Sequence, residues 1–226
     1  MPSSVSVVIP ALNEEASIGS VVRSMPWGDI AECIVVDNGS TDGTAEKARA
    51  AGAKVVNAPR GYGAACAAGA KAAMNTSDVL VFLDGDGSDD VSAMPRLVGP
   101  IERGEADFVI GSRMRGTAEP GSLNGAQIFA AKMIGALVKM MYGFHYTDMG
   151  PFRAIRRECL ESMRMREMTY GWNLEMQIKA LKMGLRVVEI PVDYRCRIGG
   201  ESKVSGNAWA SMKAGAKILG VLARVR

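Results

Sequence analysis

The sequence predicts an α/β fold in which helices cover both faces of a Rossmann-like, mostly parallel sheet. Strand-like and helix-like segments alternate through the first half of the 226-residue chain. The strand-like segments are short and almost entirely apolar, as strands that are buried on both faces tend to be. Polar clusters follow three of these strands, at the edge where open α/β sheets bind their ligands. These observations together predict a ligand site along one edge of the sheet.

Five strands are predicted in the first half, and a helix follows each of the first four. Short runs rich in β-branched residues predict the strands at 5–9, 33–36, 54–56, 79–83 and 108–110. The helices between them are predicted at 14–24, 41–51, 63–74 and 93–103.

The second half is less regular, but it shows no repeat and no linker-like shift in composition. Helices are predicted at 126–141, 171–183 and 208–223, with one strand-like stretch at 186–194. We therefore expect a single domain over residues 1–226.

Composition excludes several classes of function. A net charge of +3 is too small to indicate binding to nucleic acid, and we expect no nucleic-acid partner. The four cysteines are isolated, which favours reduced thiols in a cytoplasmic protein. The single histidine, His145, argues against a Ser-His-Asp hydrolase or a histidine-rich zinc site. The N-terminus does not read as a signal peptide.

Two carboxylates stand at the end of the fourth predicted strand. Asp84 and Asp86 are two residues apart, so their side chains point the same way in an extended chain. Gly85 and Gly87 allow the backbone to bend and to approach a ligand closely. Convergent carboxylates suit Mg²⁺ or Mn²⁺, although a polar turn would use the same residue types. The other polar clusters on the same predicted edge favour the metal site.

Six motifs, in order along nearly the whole chain, resemble the family 2 glycosyltransferases of the GT-A fold, and among them the polyprenyl- and dolichyl-phosphate sugar synthases. The motifs occupy 8–14, 35–44, 84–86, 111–113, 148–154 and 200–203. The resemblance implies inverting transfer of a hexose from a GDP- or UDP-hexose donor to a polyprenyl phosphate, of dolichyl or undecaprenyl type, with one Mg²⁺ or Mn²⁺. It also implies a nucleotide-sugar-binding half over 1–115 and an acceptor-binding half over 116–226.

The resemblance also implies a role for individual residues of this chain. The donor would contact Pro10, Leu12, Glu14, Val36, Asp37, Asp84 and Gly85. The metal would be held by Asp84, Asp86 and Ser88. The acceptor phosphate would be bound by Arg113, Arg153, Arg197 and Lys203. The catalytic set would be Asp86, Arg113, Asp148 and Glu175.

Three alternatives remain open at the level of sequence. A small soluble hydroxyl acceptor would need a carboxylate base, and Asp148 and Glu175 are the candidates. The chain could also bind nucleotide sugars without catalysis. A dinucleotide oxidoreductase is the third alternative. The segment that begins at Gly61 resembles a dinucleotide-binding fingerprint, but only weakly, because Cys66 occupies its third glycine position.

Contact with a membrane is a further expectation. The predicted helices at 126–141 and 208–223 are apolar and carry basic residues, as do helices that lie on anionic lipid. Helices that pack on a sheet with their lysines in solvent give the same pattern. We expect a cytoplasmic protein that is either free or peripheral on the inner face of the membrane.

Overall fold

The computed structural model describes residues 3–73 and 75–199, together with residue 220. Lys203 and the motif at 200–203 lie outside the described residues, as does all but one residue of the predicted helix at 208–223. The described strands are β1 Val5–Ala11, β2 Glu32–Asp37, β3 Lys54–Asn57, β4 Val79–Phe82, β5 Phe108–Ser112, β6 Arg153–Arg156 and β7 Val187–Pro191. The α-helices are α1 Ile18–Arg23, α2 Thr44–Ala50, α3 Tyr62–Ala72, α4 Met94–Glu102, α5 Gly125–Tyr142, α6 Arg157–Met163 and α7 Trp172–Lys182.

The seven strands form one sheet in the order β3-β2-β1-β4-β6-β5-β7. Neighbouring strands are parallel except at β6, which is antiparallel to both β4 and β5. The prediction of a mostly parallel sheet is therefore confirmed. Strands from both halves of the chain contribute to this sheet, since β6 lies between β4 and β5.

Hydrophobic clusters lie on both faces of the sheet. Side chains of β1 alternate between them, so that Val7 and Ile9 join one cluster and Val8 joins the other. Helices α1, α2 and α4 pack into the first cluster, and α3, α5, α6 and α7 pack into the second. The predicted covering of both faces by helices is confirmed.

The sequence reading missed β6 and α6. The β6 sequence begins and ends with arginine, which is not the pattern of a buried strand, and yet Arg153 is fully buried. The prediction was also wrong about the start of α1, which begins at Ile18 and not at residue 14. Asn13 has a positive φ of 51°, so the chain turns there before it can enter a helix.

Candidate active site

A cavity of about 590 Å³ opens at the carboxyl ends of β1 and β4. Open α/β sheets bind ligands at this edge, where the backbone leaves the sheet. Nine of the residues predicted for the site line the cavity: Pro10, Leu12, Glu14, Asp84, Gly85, Asp86, Ser88, Arg113 and Arg197. The chain therefore brings these nine residues, which include predicted donor, metal and acceptor contacts, to one place.

Val36 and Asp37 do not line the cavity. Val36 is buried within β2, and the Asp37 carboxylate accepts a 2.9 Å hydrogen bond from the Ser40 N–H. The next residue, Asn38, does line the cavity, and its Oδ1 accepts a 3.0 Å hydrogen bond from the Gly61 N–H. This bond joins the end of β2 to the start of α3.

Asp86 is almost completely buried and uses both of its carboxylate oxygens. Oδ1 accepts hydrogen bonds from the Ser88 N–H at 2.9 Å and from the Ser88 hydroxyl at 2.6 Å. Oδ2 lies 2.6 Å from Nη2 of Arg197. The predicted metal residue Ser88 therefore orients the Asp86 carboxylate directly.

The acidic residues around Asp84 repel one another. Burial, followed by the charges of Asp86 and Asp89, raises the pKa of Asp84 well above its ordinary value. Burial also raises the pKa of Asp89 to about 7. A cation placed between Asp84 and Asp86 would relieve this repulsion, so the donor set fits a divalent metal.

Within residues 3–73 and 75–199, no three Cys, His, Asp or Glu side chains are grouped as a complete metal site. Mg²⁺ and Mn²⁺ favour carboxylate, water and phosphate oxygens, and Mg²⁺ is usually held by one or two protein carboxylates. Asp84 and Asp86 are therefore the residues that could hold such an ion.

Four arginines line the same cavity: Arg60, Arg113, Arg195 and Arg197. Arg113 donates to the Asp148 carboxylate from Nε at 2.7 Å and from Nη2 at 2.8 Å. Its guanidinium carbon also lies 4.9 Å from the ring centroid of Tyr194. Because both contacts fix the guanidinium plane, Arg113 is held in one orientation at the cavity wall.

Asp148 itself does not line the cavity. Burial acts to raise the pKa of Asp148, but the hydrogen bonds and the charge of Arg113 hold it below its ordinary value. The Met149 N–H donates to the same carboxylate at 2.7 Å. The structure therefore presents Asp148 as an ionised group that positions Arg113.

Glu175 and Arg153 also lie outside the cavity lining. The Glu175 carboxylate accepts hydrogen bonds from the backbone N–H groups of Arg166 and Glu167 and pairs with Lys179 at 2.8 Å. Arg153 is fully buried, and it donates to the carbonyl oxygens of Gly150 and Asn173. Both side chains therefore bind other parts of the protein.

Several lining residues were missed by the sequence reading. Arg60 and Tyr62 follow β3, so the rule that found the other polar clusters at strand ends could have found them. Tyr194 and Arg195 reach the cavity because their segment pairs with residues 88–89, which is a long-range contact. No local pattern in the sequence reports such a pairing.

Sequence comparison finds relatives over nearly the whole chain. The model of the family described as "Glycosyl transferase family 2" matches residues 6–164. An uncharacterized glycosyltransferase of Mycobacterium tuberculosis is 40% identical over 213 residues, which cover 93% of this chain and 94% of that relative. The undecaprenyl-phosphate mannosyltransferase of Micrococcus luteus is 33% identical over 222 residues and covers 89% of this chain and 88% of its own.

A solved structure extends the likeness over almost the whole chain. The M. tuberculosis glucosyl-3-phosphoglycerate synthase, in complex with Mn²⁺ and uridine-diphosphate-glucose, has a TM-score of 0.80 at 25% identity. The match covers 99% of this chain and 79% of that one. The predicted GT-A fold and the resemblance stated from the sequence are both confirmed. The chain belongs to glycosyl transferase family 2 and is a glycosyltransferase.

Proposed function

We propose that this glycosyltransferase transfers a hexose, with inversion, from a nucleotide-diphosphate sugar to a polyprenyl phosphate. The observation that carries the proposal is the cavity, which combines Asp84 and Asp86 with four arginines. Arginine binds phosphate oxygens through paired hydrogen bonds, so a cavity rich in arginine suits a reaction in which both partners carry phosphate.

Asp84 and Asp86 would hold the Mg²⁺ or Mn²⁺ of the donor. Such an ion, when bound, stabilises the negative charge that grows on the departing nucleoside diphosphate. The solved relative that contains Mn²⁺ and uridine-diphosphate-glucose supports this assignment. Pro10, Leu12 and Glu14 line the adjoining wall, where the nucleoside would lie.

The proposed acceptor is a phosphate and not a hydroxyl. A phosphate monoester is already ionised near neutral pH, so its oxygen can attack the sugar carbon without a general base. A hydroxyl acceptor would need a base within hydrogen-bonding reach. Both predicted bases, Asp148 and Glu175, are held by other groups outside the cavity lining. The relative named for undecaprenyl phosphate favours the same choice.

A small soluble acceptor is the second candidate. The solved relative is named as a synthase of glucosyl-3-phosphoglycerate, whose acceptor part also carries a phosphate. The same arginines would bind that phosphate. This candidate differs from the first in needing a proton acceptor for the attacking hydroxyl.

Helix α5 offers a surface for the lipid. Beyond its first turn, its exposed residues repeat at helical spacing: Phe129, Lys132, Met133, Ala136, Lys139 and Met140. Phe129 is 68% exposed and Met140 is 77% exposed, and the whole helix lacks acidic residues. Asn124 and Gln127, at the start of the helix, line the cavity. We infer that this face rests on anionic lipid, beside the opening that a lipid phosphate would enter.

The residues that the structure describes include no helix that is both long enough and apolar enough to cross a bilayer.

The decisive experiment offers the protein two acceptors in parallel. Purified protein is incubated with Mn²⁺ and a panel of UDP- and GDP-hexoses, with either undecaprenyl phosphate in detergent or 3-phosphoglycerate. Sugar transfer to the lipid alone supports the proposal, and transfer to 3-phosphoglycerate alone replaces it with the second candidate. We also expect Glu175→Gln to retain most of the transfer activity, because its carboxylate does not line the cavity.

A further inference from the structure

Asp86 already has a cationic partner within the protein. Nη2 of Arg197 lies 2.6 Å from Asp86 Oδ2, while Oδ1 is held by Ser88. The Asp86 side chain is 5% exposed and that of Arg197 is 29% exposed. The guanidinium thus pairs with Oδ2. Because Oδ2 accepts no hydrogen bond from Ser88, it is the oxygen best placed to bind a metal ion.

Arg197 belongs to a segment that lies across the turn carrying Asp86. We call residues 194–199 the strap. The Arg195 N–H donates to the Ser88 carbonyl at 2.9 Å, and the Ile198 N–H donates to the Asp86 carbonyl at 3.0 Å. These two backbone hydrogen bonds, on either side of Arg197, fix the position of its Cα above the carboxylate.

A second contact anchors the strap. The Ile198 side chain packs so closely on Gly87 that a Cβ there would come 2.9 Å from Ile198 Cγ1. Gly87 also has a φ of 79°, a conformation that favours glycine. The glycine in the turn at 86–88 therefore allows the strap to pack against it, and this packing brings Arg197 into contact with Asp86.

The other end of the guanidinium has no partner among the described residues. Nη1 of Arg197 is buried and has no hydrogen-bond partner in the part of the chain that the structure describes. Arg197 also lines the cavity that holds Asp84 and Asp86. A buried donor without a partner is costly, so this nitrogen is suited to a ligand oxygen.

We propose that Arg197 is an exchangeable counter-ion of Asp86. It neutralises the carboxylate in the free protein, competes there with the divalent cation, and binds the donor diphosphate once the cation has taken its place. The inference rests on the metal and donor of the proposed function, but not on the acceptor. Removal of the Arg197 side chain should therefore strengthen metal binding and weaken diphosphate binding.

The test titrates Mn²⁺ alone into the protein and follows the free ion by electron paramagnetic resonance. For Arg197→Met we expect a Kd for Mn²⁺ about tenfold lower than that of the wild type, because the competing cation is gone. Arg195→Met is the matched control. It removes the same charge from the same strap, but Arg195 pairs with Asp90 at 3.5 Å and not with Asp86. We expect its Kd for Mn²⁺ to stay within about twofold of the wild-type value.

The second titration adds UDP or GDP to the Mn²⁺-saturated proteins and is followed by calorimetry. We expect Arg197→Met to bind the preferred diphosphate about tenfold more weakly than the wild type. Equal or weaker Mn²⁺ binding by Arg197→Met, or no Mn²⁺ binding by either protein, overturns the proposal. Unchanged diphosphate binding overturns its second half. Neither titration contains an acceptor, so a failed lipid assay leaves both results interpretable.

Discussion

Arg113 and Asp148 form a doubly hydrogen-bonded ion pair between the end of β5 and the segment that leads into β6. The Arg113 side chain is 14% exposed and that of Asp148 is fully buried. The pair joins residues that are 35 positions apart in the sequence. It holds an arginine at the cavity wall by means of a carboxylate that lies behind it.

Asp148→Asn should destabilise the protein and lower transfer. The substitution keeps the shape of the side chain but leaves the Arg113 charge poorly compensated, which we expect to cost about 3 kcal/mol in the free energy of unfolding. Urea denaturation measures this loss. Glu105→Gln is the control, because it breaks a pair with Arg103 in which both partners are more than half exposed, and solvent screening should make its effect small. Equal losses for the two variants would contradict a special role for the buried pair.

The free energy of unfolding should decrease at acidic pH, because the Asp107 carboxylate becomes protonated. Hydrogen bonds from Arg186 lower the pKa of this carboxyl from 3.8 to about 2. Because the folded-state pKa is depressed, the stabilisation is present above about pH 4 and is lost as the pH falls towards 2.

The variant Asp107→Asn tests this dependence. It should lose about 1 kcal/mol of stability at pH 7, a figure reduced for the exposure of Arg186, and should match the wild type near pH 2. Thermal unfolding over a series of pH values measures the difference. The exposed Asp29, changed to Asn, is the control. A difference between Asp107→Asn and the wild type that stays constant with pH would contradict the assignment.

Gly69→Ala should destabilise the protein although it raises helix propensity. Gly69 lies in α3 against the sheet, where a Cβ would overlap Val8 and come 2.9 Å from Val36 Cγ2. We expect overpacking to cost about 1–3 kcal/mol, more than the gain of up to about 1 kcal/mol from replacing a helical glycine. Gly125→Ala, in the first turn of α5 with open space around it, is the control for urea denaturation. A Gly69→Ala protein as stable as the wild type would show that α3 can shift away from β1.

The exposed face of α5 should bind anionic vesicles. Sedimentation with phosphatidylglycerol vesicles should retain the wild type, and the double variant Phe129→Ser/Met140→Ser should bind at least about tenfold more weakly, because it removes two exposed apolar side chains. Met183→Ser, at another exposed apolar position, is the control. Equal binding by the double variant and the control would place the lipid surface elsewhere. Binding to neutral phosphatidylcholine that matches binding to anionic vesicles would rule out a role for Lys132 and Lys139.

Most of the sheet, and the carboxylate pair at the centre of the cavity, could be predicted from the sequence, because both depend on local patterns. The apolar run of β4 and the spacing of Asp84 and Asp86 are properties of neighbouring residues. The burial of Arg153 could not be predicted, since it depends on β6 pairing between β4 and β5, which both precede it in the sequence. The contact between Arg197 and Asp86 likewise joins residues that are 111 positions apart.

The reversed direction of β6 has a consequence for how this architecture can diversify. A parallel strand would receive its preceding segment from the opposite edge of the sheet, but β6 receives its own at the edge where β5 ends. Residues 113–152 therefore leave the cavity edge and return to it without crossing the sheet. We expect this excursion to tolerate insertion, shortening or exchange between relatives while the strand register stays unchanged. A family built on this plan could acquire new acceptors by replacing one loop-and-helix cassette and keeping its donor chemistry.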